Sequence, residues 1–182
     1  MRHFLFAAAL GACALSGCAS VETPASMSDV DAALAAMNRS MVGTWTGTVE
    51  RVDPATGGIT ATSDAFNFTV TDETGLDFAF WRADGLTLSA YQGDGRYRQR
   101  SWTAAGALSV DEVRSSGMTG PDANGRWTLT ETSVASNDDG ATESRTRYVF
   151  EPPVLTSYGE ERPAGSDAAY THVSSGEWTL LP

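Results

Sequence analysis

Three arginines alternate in the run Arg96-Tyr97-Arg98-Gln99-Arg100, with Trp102 next in phase. On an extended strand alternate residues share a face. The run therefore predicts a row of guanidiniums ending in an indole, with Tyr97 and Gln99 pointing the other way. Arg145 and Arg147 repeat the spacing later in the chain. Turned inward, such a row would hold a carboxylate head through bidentate hydrogen bonds. Turned outward, it would pair with acids on neighbouring strands such as Glu112, Glu131 and Glu143, at about 0–1 kcal/mol per pair. Each face of 95–103 carries one aromatic beside polar residues, so the pattern leaves both orientations open.

Other chemistry is sparse. Of the two histidines, His3 lies in the first apolar run, leaving His172. One histidine without thiolates makes a zinc site improbable. No Gly-x-Ser-x-Gly elbow accompanies it. The acid pairs Asp111-Glu112, Asp138-Asp139 and Glu160-Glu161 are sequence neighbours, which on a strand face opposite ways and make no acid–base dyad. All 12 basic residues are arginine, which excludes lysine Schiff-base chemistry and the lysine of a phosphate-binding loop. The expectation is a protein that is not an enzyme, with no catalytic residue, metal or dissociable cofactor.

The N-terminus carries the most specific signal. Arg2 precedes an apolar run of small and greasy residues that ends in Leu15-Ser16-Gly17-Cys18. This resembles a bacterial lipobox. The resemblance implies a signal peptide over 1–17, cleavage before Cys18, and a diacylglycerol and acyl group on that cysteine. The apolar run is about 12 residues, short of the roughly 20 a spanning helix needs. Cys13 leaves with the signal, so no disulfide or thiolate site remains. Removal of 1–17 leaves 11 arginines against 23 acids, a balance of −12. That excludes nucleic-acid binding, which requires basic surface, and docking on anionic headgroups by charge. The lipid would make the membrane attachment. Residues 18–27 form the lipidated cysteine and a short polar tether with Pro24. Ala19 is not the aspartate that retains enterobacterial lipoproteins in the inner membrane, so the resemblance implies the outer membrane, facing the periplasm.

One domain is expected over 28–182. Ser28-x-x-Asp31 reads as a capping box, and Val30, Leu34, Met37 and Met41 give one apolar stripe, so a helix is predicted over 28–41. The period then switches to two. Turn residues recur at Asp53–Gly58, Asp72–Gly75, Arg82–Gly85, Gly93–Gly95, Ala104–Gly106, Gly120–Gly125, Asn137–Gly140 and Pro163–Gly165. They bound about ten strands: 42–52, 59–71, 76–82, 86–92, 95–103, 107–115, 126–135, 142–151, 154–161 and 168–181, the last a candidate for a break at Gly176. Phe66, Phe68 and Val70 form one inward face, and Leu76, Phe78 and Phe80 another, with Trp81 opposite. Many short strands joined by tight turns predict an all-β antiparallel meander. Closing it into an up-and-down barrel of about 8–10 strands removes the exposed edges; a two-sheet sandwich is the alternative.

Gly43-Thr44-Trp45-Thr46-Gly47, on the first strand after a short helix, resembles the opening of lipocalins and their calycin relatives. The resemblance implies that Trp45 plugs one end of the barrel with the helix beside it. The chain is also similar to a group of small bacterial proteins that open on a Val-Gly-Thr-Trp-x-Gly strand, a likeness that implies a fold and no activity. Fatty-acid-binding barrels hold a ligand carboxylate with buried arginines. By that likeness a small, mainly apolar ligand would bind among Arg96, Arg98, Arg100, Trp102 and Trp45. Two alternatives stand beside it. An envelope scaffold would have no cavity, and would show an exposed apolar patch or an unpaired strand edge. A nitrobindin-like barrel would hold haem through His172, given the loose similarity of Tyr97-Arg98-Gln99-Arg100-Ser101-Trp102 to a strand of that family.

Overall fold

The computed structural model describes residues 28–137 and 140–182. Residues 1–27, with the predicted signal, Cys18 and tether, lie outside the described residues. The elements are α1 (Asp29–Ser40), β1 (Gly43–Val52), β2 (Ile59–Val70), β3 (Phe78–Arg82), β4 (Gly85–Gly93), β5 (Arg96–Thr103), β6 (Leu108–Thr119), β7 (Trp127–Asn137), β8 (Gly140–Glu151), β9 (Val154–Pro163) and β10 (Thr171–Leu180). All ten strands are antiparallel to their neighbours, and β1 pairs with β10, so the sheet closes into a barrel. This is the meander predicted above, without the sandwich's second sheet. β10 runs through Gly176 without a break.

The turns follow their residue chemistry. Asp94 and Gly95 both have positive φ, 52° and 69°, the backbone a tight β4–β5 hairpin requires. Gly47 serves a different need. A Cβ there would stand 2.0 Å from the Glu177 carbonyl oxygen, so only glycine lets β1 approach β10 this closely.

Helix α1 closes one end of the barrel. Ser28 caps it, its hydroxyl accepting from the Asp31 N–H at 3.1 Å. Leu34, Met37 and Met41 are buried as the stripe predicts, whereas Val30, in the first turn, is 48% exposed. Asn38 Nδ2 donates to the Gly75 carbonyl at 3.0 Å, and Arg39 donates to the carbonyls of Glu73 and Thr74. The Asp72 carboxylate holds that loop by accepting the N–H groups of Thr74, Gly75 and Asp77. Hydrogen bonds to Asp72 outweigh its partial burial and keep its pKa below the usual carboxylate range. The Tyr91 hydroxyl donates to Asp31, tying the helix start to β4.

Trp45 is fully buried under α1. Its Nε1 donates to the Met41 carbonyl at 2.9 Å, and its ring stacks on Phe66 and meets Phe150 edge-on. Trp45 plugs the barrel beside the helix, as the lipocalin resemblance implies. Phe68, Phe78, Phe80 and Tyr97 continue the aromatic packing around the wall.

Candidate functional site

Above this plug the barrel is not filled. A cavity of about 770 Å³ runs along its axis, within the roughly 300–1,000 Å³ of small-molecule sites. Leu34 and Met37 of α1, with Met41 at its C-cap, form its floor. Its mouth lies at the other end, beside Arg51, Asp84, Leu86, Trp102 and Thr103. The walls are aromatic on the β2–β3 side, from Phe66, Phe68, Phe78 and Phe80. Across the lumen they turn polar, with Gln99, Ser115, Glu131, Tyr148 and Ser157.

Strand parity explains why these side chains face inward. Trp127, Leu129 and Glu131 are alternate residues of β7, and Tyr148 and Phe150 are alternate residues of β8. The apolar members fix the inward face, and Glu131 and Tyr148 follow in phase. Glu131 was expected among the outward acids; the structure places it in the lumen. The Ser115 hydroxyl donates to its Oε1 at a long 3.4 Å, and the Tyr148 hydroxyl approaches as a second donor. Among the described residues no cation lies within ion-pair distance of it. Burial disfavours the charged form more than these donors favour it, so the Glu131 pKa is pushed up to about 7. The Tyr148 phenol is raised by burial first and then by the charge of Glu131. Two further inward hydroxyls, Ser89 Oγ and Tyr97 Oη, are buried without a partner at hydrogen-bond geometry among the described residues, Asn38 being the polar side chain nearest the Tyr97 phenol.

The lumen wall also holds an ion pair, with the Arg82 side chain 38% exposed and that of Asp64 19%. Arg82 Nε lies 3.3 Å from Asp64 Oδ1, and Trp178 Nε1 donates to Asp64 Oδ2 at 3.0 Å. The Arg82 guanidinium sits over the rings of Phe66 and Phe80, at 5.4 and 5.8 Å.

The residues singled out from sequence are not brought together. Arg96, Arg98 and Arg100 stand on the outer face, while Tyr97 and Gln99 turn inward. Arg98 pairs with Glu112 at 3.3 Å, and Arg96 lies 3.8 Å from Asp94. Arg145 and Arg162 likewise pair outside, with Glu160 and Glu143, and both lie over the Tyr170 ring. The Glu143 carboxyl is lowered by hydrogen bonds from Tyr170 and Arg162. Trp102 does border the cavity mouth, whereas Trp45 lies beneath the floor and is not part of the wall. His172 stacks on the half-exposed Tyr158 ring at 4.4 Å, its Nε2 2.9 Å from the Ser174 carbonyl oxygen, and does not line the cavity. A haem in the lumen would receive no ligand from it. Among the described residues no cluster of His, Cys, Asp and Glu could hold a metal ion.

The outer wall has one unusual region. Trp81, Leu86, Trp102 and Leu108 are register partners across β3, β4, β5 and β6, forming an apolar row near the mouth. Trp81 is 51% exposed and Leu108 55%, with Leu88 and Val110 in the next row. Beside it β2 pairs with β3 only from Phe66 to Val70, so 59–65 lacks a partner on that edge.

Neither a family model nor a curated protein matches this sequence.

Proposed function

We propose that this protein binds a small, mainly apolar ligand inside its barrel, without catalysis, while anchored to the periplasmic face of a bacterial outer membrane through lipid on Cys18. The cavity above the Trp45–α1 plug carries the binding half of this reading. It is closed at one end, open at the other, and lined by rings that give apolar contact with a few polar groups for orientation. The anchoring half rests on the Leu15-Ser16-Gly17-Cys18 run. No helix among the described residues is long and apolar enough to cross a membrane.

The test of binding is a titration with N-phenyl-1-naphthylamine, an apolar probe whose fluorescence rises away from water. One probe per chain is expected. Ser157→Phe on β9 and Gln99→Phe on β5 put added bulk into the lumen from walls four strands apart. Both should abolish the signal while circular dichroism stays unchanged. No probe binding by the wild type, or undiminished binding by both folded variants, would overturn the reading. Anchoring is checked separately, by loss of membrane association in Cys18→Ala.

The apolar row around Trp81 and Leu108 and the open edge of β2 favour a second reading, an envelope interaction module. It predicts that a photo-crosslinker at position 81 captures one partner, and that Leu108→Ser abolishes capture without affecting probe binding. Failure to capture any protein at position 81 would count against it.

A further inference from the structure

The lumen has a charge pattern that selects among ligands. Of its two arginines among the described residues, Arg82 meets Asp64 through Nε and lies over two phenyl rings with its side chain 38% exposed, and Arg51 is exposed at the mouth. Of its three carboxylates, Asp64 is paired and Asp84 is exposed at the mouth. Glu131 remains, inside the wall, facing Ser115 from β6, Tyr148 from β8 and, further off, Tyr97 from β5. Each of these neighbours is neutral. A carboxylate in such a place is costly to leave without a cation. The fold already bears its desolvation, so a cation arriving on a ligand gains the attraction and loses only its own hydration. Phenol and phenyl rings line the approach, and their faces attract cations. An anionic head finds less: the arginine row is outside, and the charge of Arg82 is already shared with Asp64, 3.3 Å from its Nε.

We propose that the ligand is a cationic amphiphile, a protonated amine that pairs with Glu131 on an apolar body packed against the aromatic wall. This reverses the head-group charge expected from the arginine row, and it rests on the reading of the cavity as a ligand site.

The experiment is displacement of N-phenyl-1-naphthylamine from the full chain by decylamine, decanol and decanoate, three ligands of one chain length that differ in head. At pH 8, where Glu131 is largely ionised, decylamine should compete at least about tenfold better than decanol, and decanoate worst. Glu131→Gln should bring decylamine level with decanol while leaving decanol unchanged, which separates loss of charge from loss of fold. At pH 6 the wild-type preference should shrink, because Glu131 is then mostly protonated while Tyr148 and Tyr97 stay neutral. Equal competition by all three, a preference for decanoate, or an amine preference that survives Glu131→Gln would overturn the amine assignment and leave the cavity reading standing. If the probe itself fails to bind, the cavity reading falls, and this assignment with it.

Discussion

Asp64 neutralises Arg82 within the lumen, with Nε and Oδ1 3.3 Å apart and Trp178 donating to the other oxygen at 3.0 Å. Removing the acid should therefore do two things. Asp64→Ala leaves Arg82 and the Trp178 N–H without their partner, at a cost of about 1–3 kcal/mol in urea unfolding. It also frees an inner cation, so decanoate should compete for the lumen several-fold better than in the wild type. A variant that loses stability without gaining decanoate would show that Arg82 is not accessible to ligands.

Glu131 makes stability depend on pH in a stated direction. Its folded pKa of about 7 lies above the ordinary 4.5, so the folded state holds the proton more tightly. The stabilisation is complete below about pH 4.5 and is lost as pH rises through about 7. Glu131→Gln should remove this slope. It should leave the protein more stable than the wild type at pH 8, by up to about 3 kcal/mol, with the gain reduced by water entering the cavity. Urea midpoints at pH 5 and pH 8 measure it; an unchanged wild-type midpoint between them would contradict the burial of a lone carboxyl.

The plug is a packing feature with a polar tie. Trp45→Ala deletes a fully buried indole and should cost about 3–5 kcal/mol. Trp45→Phe keeps most of the ring packing against Phe66 and Phe150 but leaves the Met41 carbonyl without the indole donor. It should cost clearly less. Thermal unfolding of the two variants separates packing from hydrogen bonding.

The outer arginines should be nearly silent. Arg98 and Glu112 are both largely exposed, and such pairs contribute about 0–1 kcal/mol. Arg98→Ala and Arg100→Ala should leave probe binding unchanged. A loss of binding in either would return the arginine row to the site.

Much of the fold is written in local chemistry. The strand run from Phe66 to Val70 alternates rings with polar residues, and the turn at Asp94-Gly95 uses residues that tolerate positive φ; both elements stand where they were expected. Closure of the barrel follows from the edges a ten-strand meander would otherwise expose. The site was harder to see because alternation alone does not say which face is inside. In 96–102 both faces carry an aromatic, and Tyr97 goes in because it packs on Phe78 and Tyr91, contacts between strands that no local pattern reveals. Leu108 and Val110 look like core by type, yet they face water with Arg100, their neighbour in the ladder. Glu131 was legible in principle: Trp127 and Leu129 fix its face four and two residues earlier. Its lack of a cation was not, since that depends on where Arg82 lies, beside Asp64 of the neighbouring strand.

Native mass spectrometry of the full chain purified from its own cells asks whether a ligand is carried in the lumen. Lipid on Cys18, if attached as proposed, would be covalent and stay with the polypeptide after denaturation, whereas a lumen ligand would leave. One additional small molecule per folded chain is expected, lost on denaturation and absent from Ser157→Phe and Gln99→Phe. A folded wild-type chain with no releasable mass, which also takes up no decylamine when it is supplied, would contradict it.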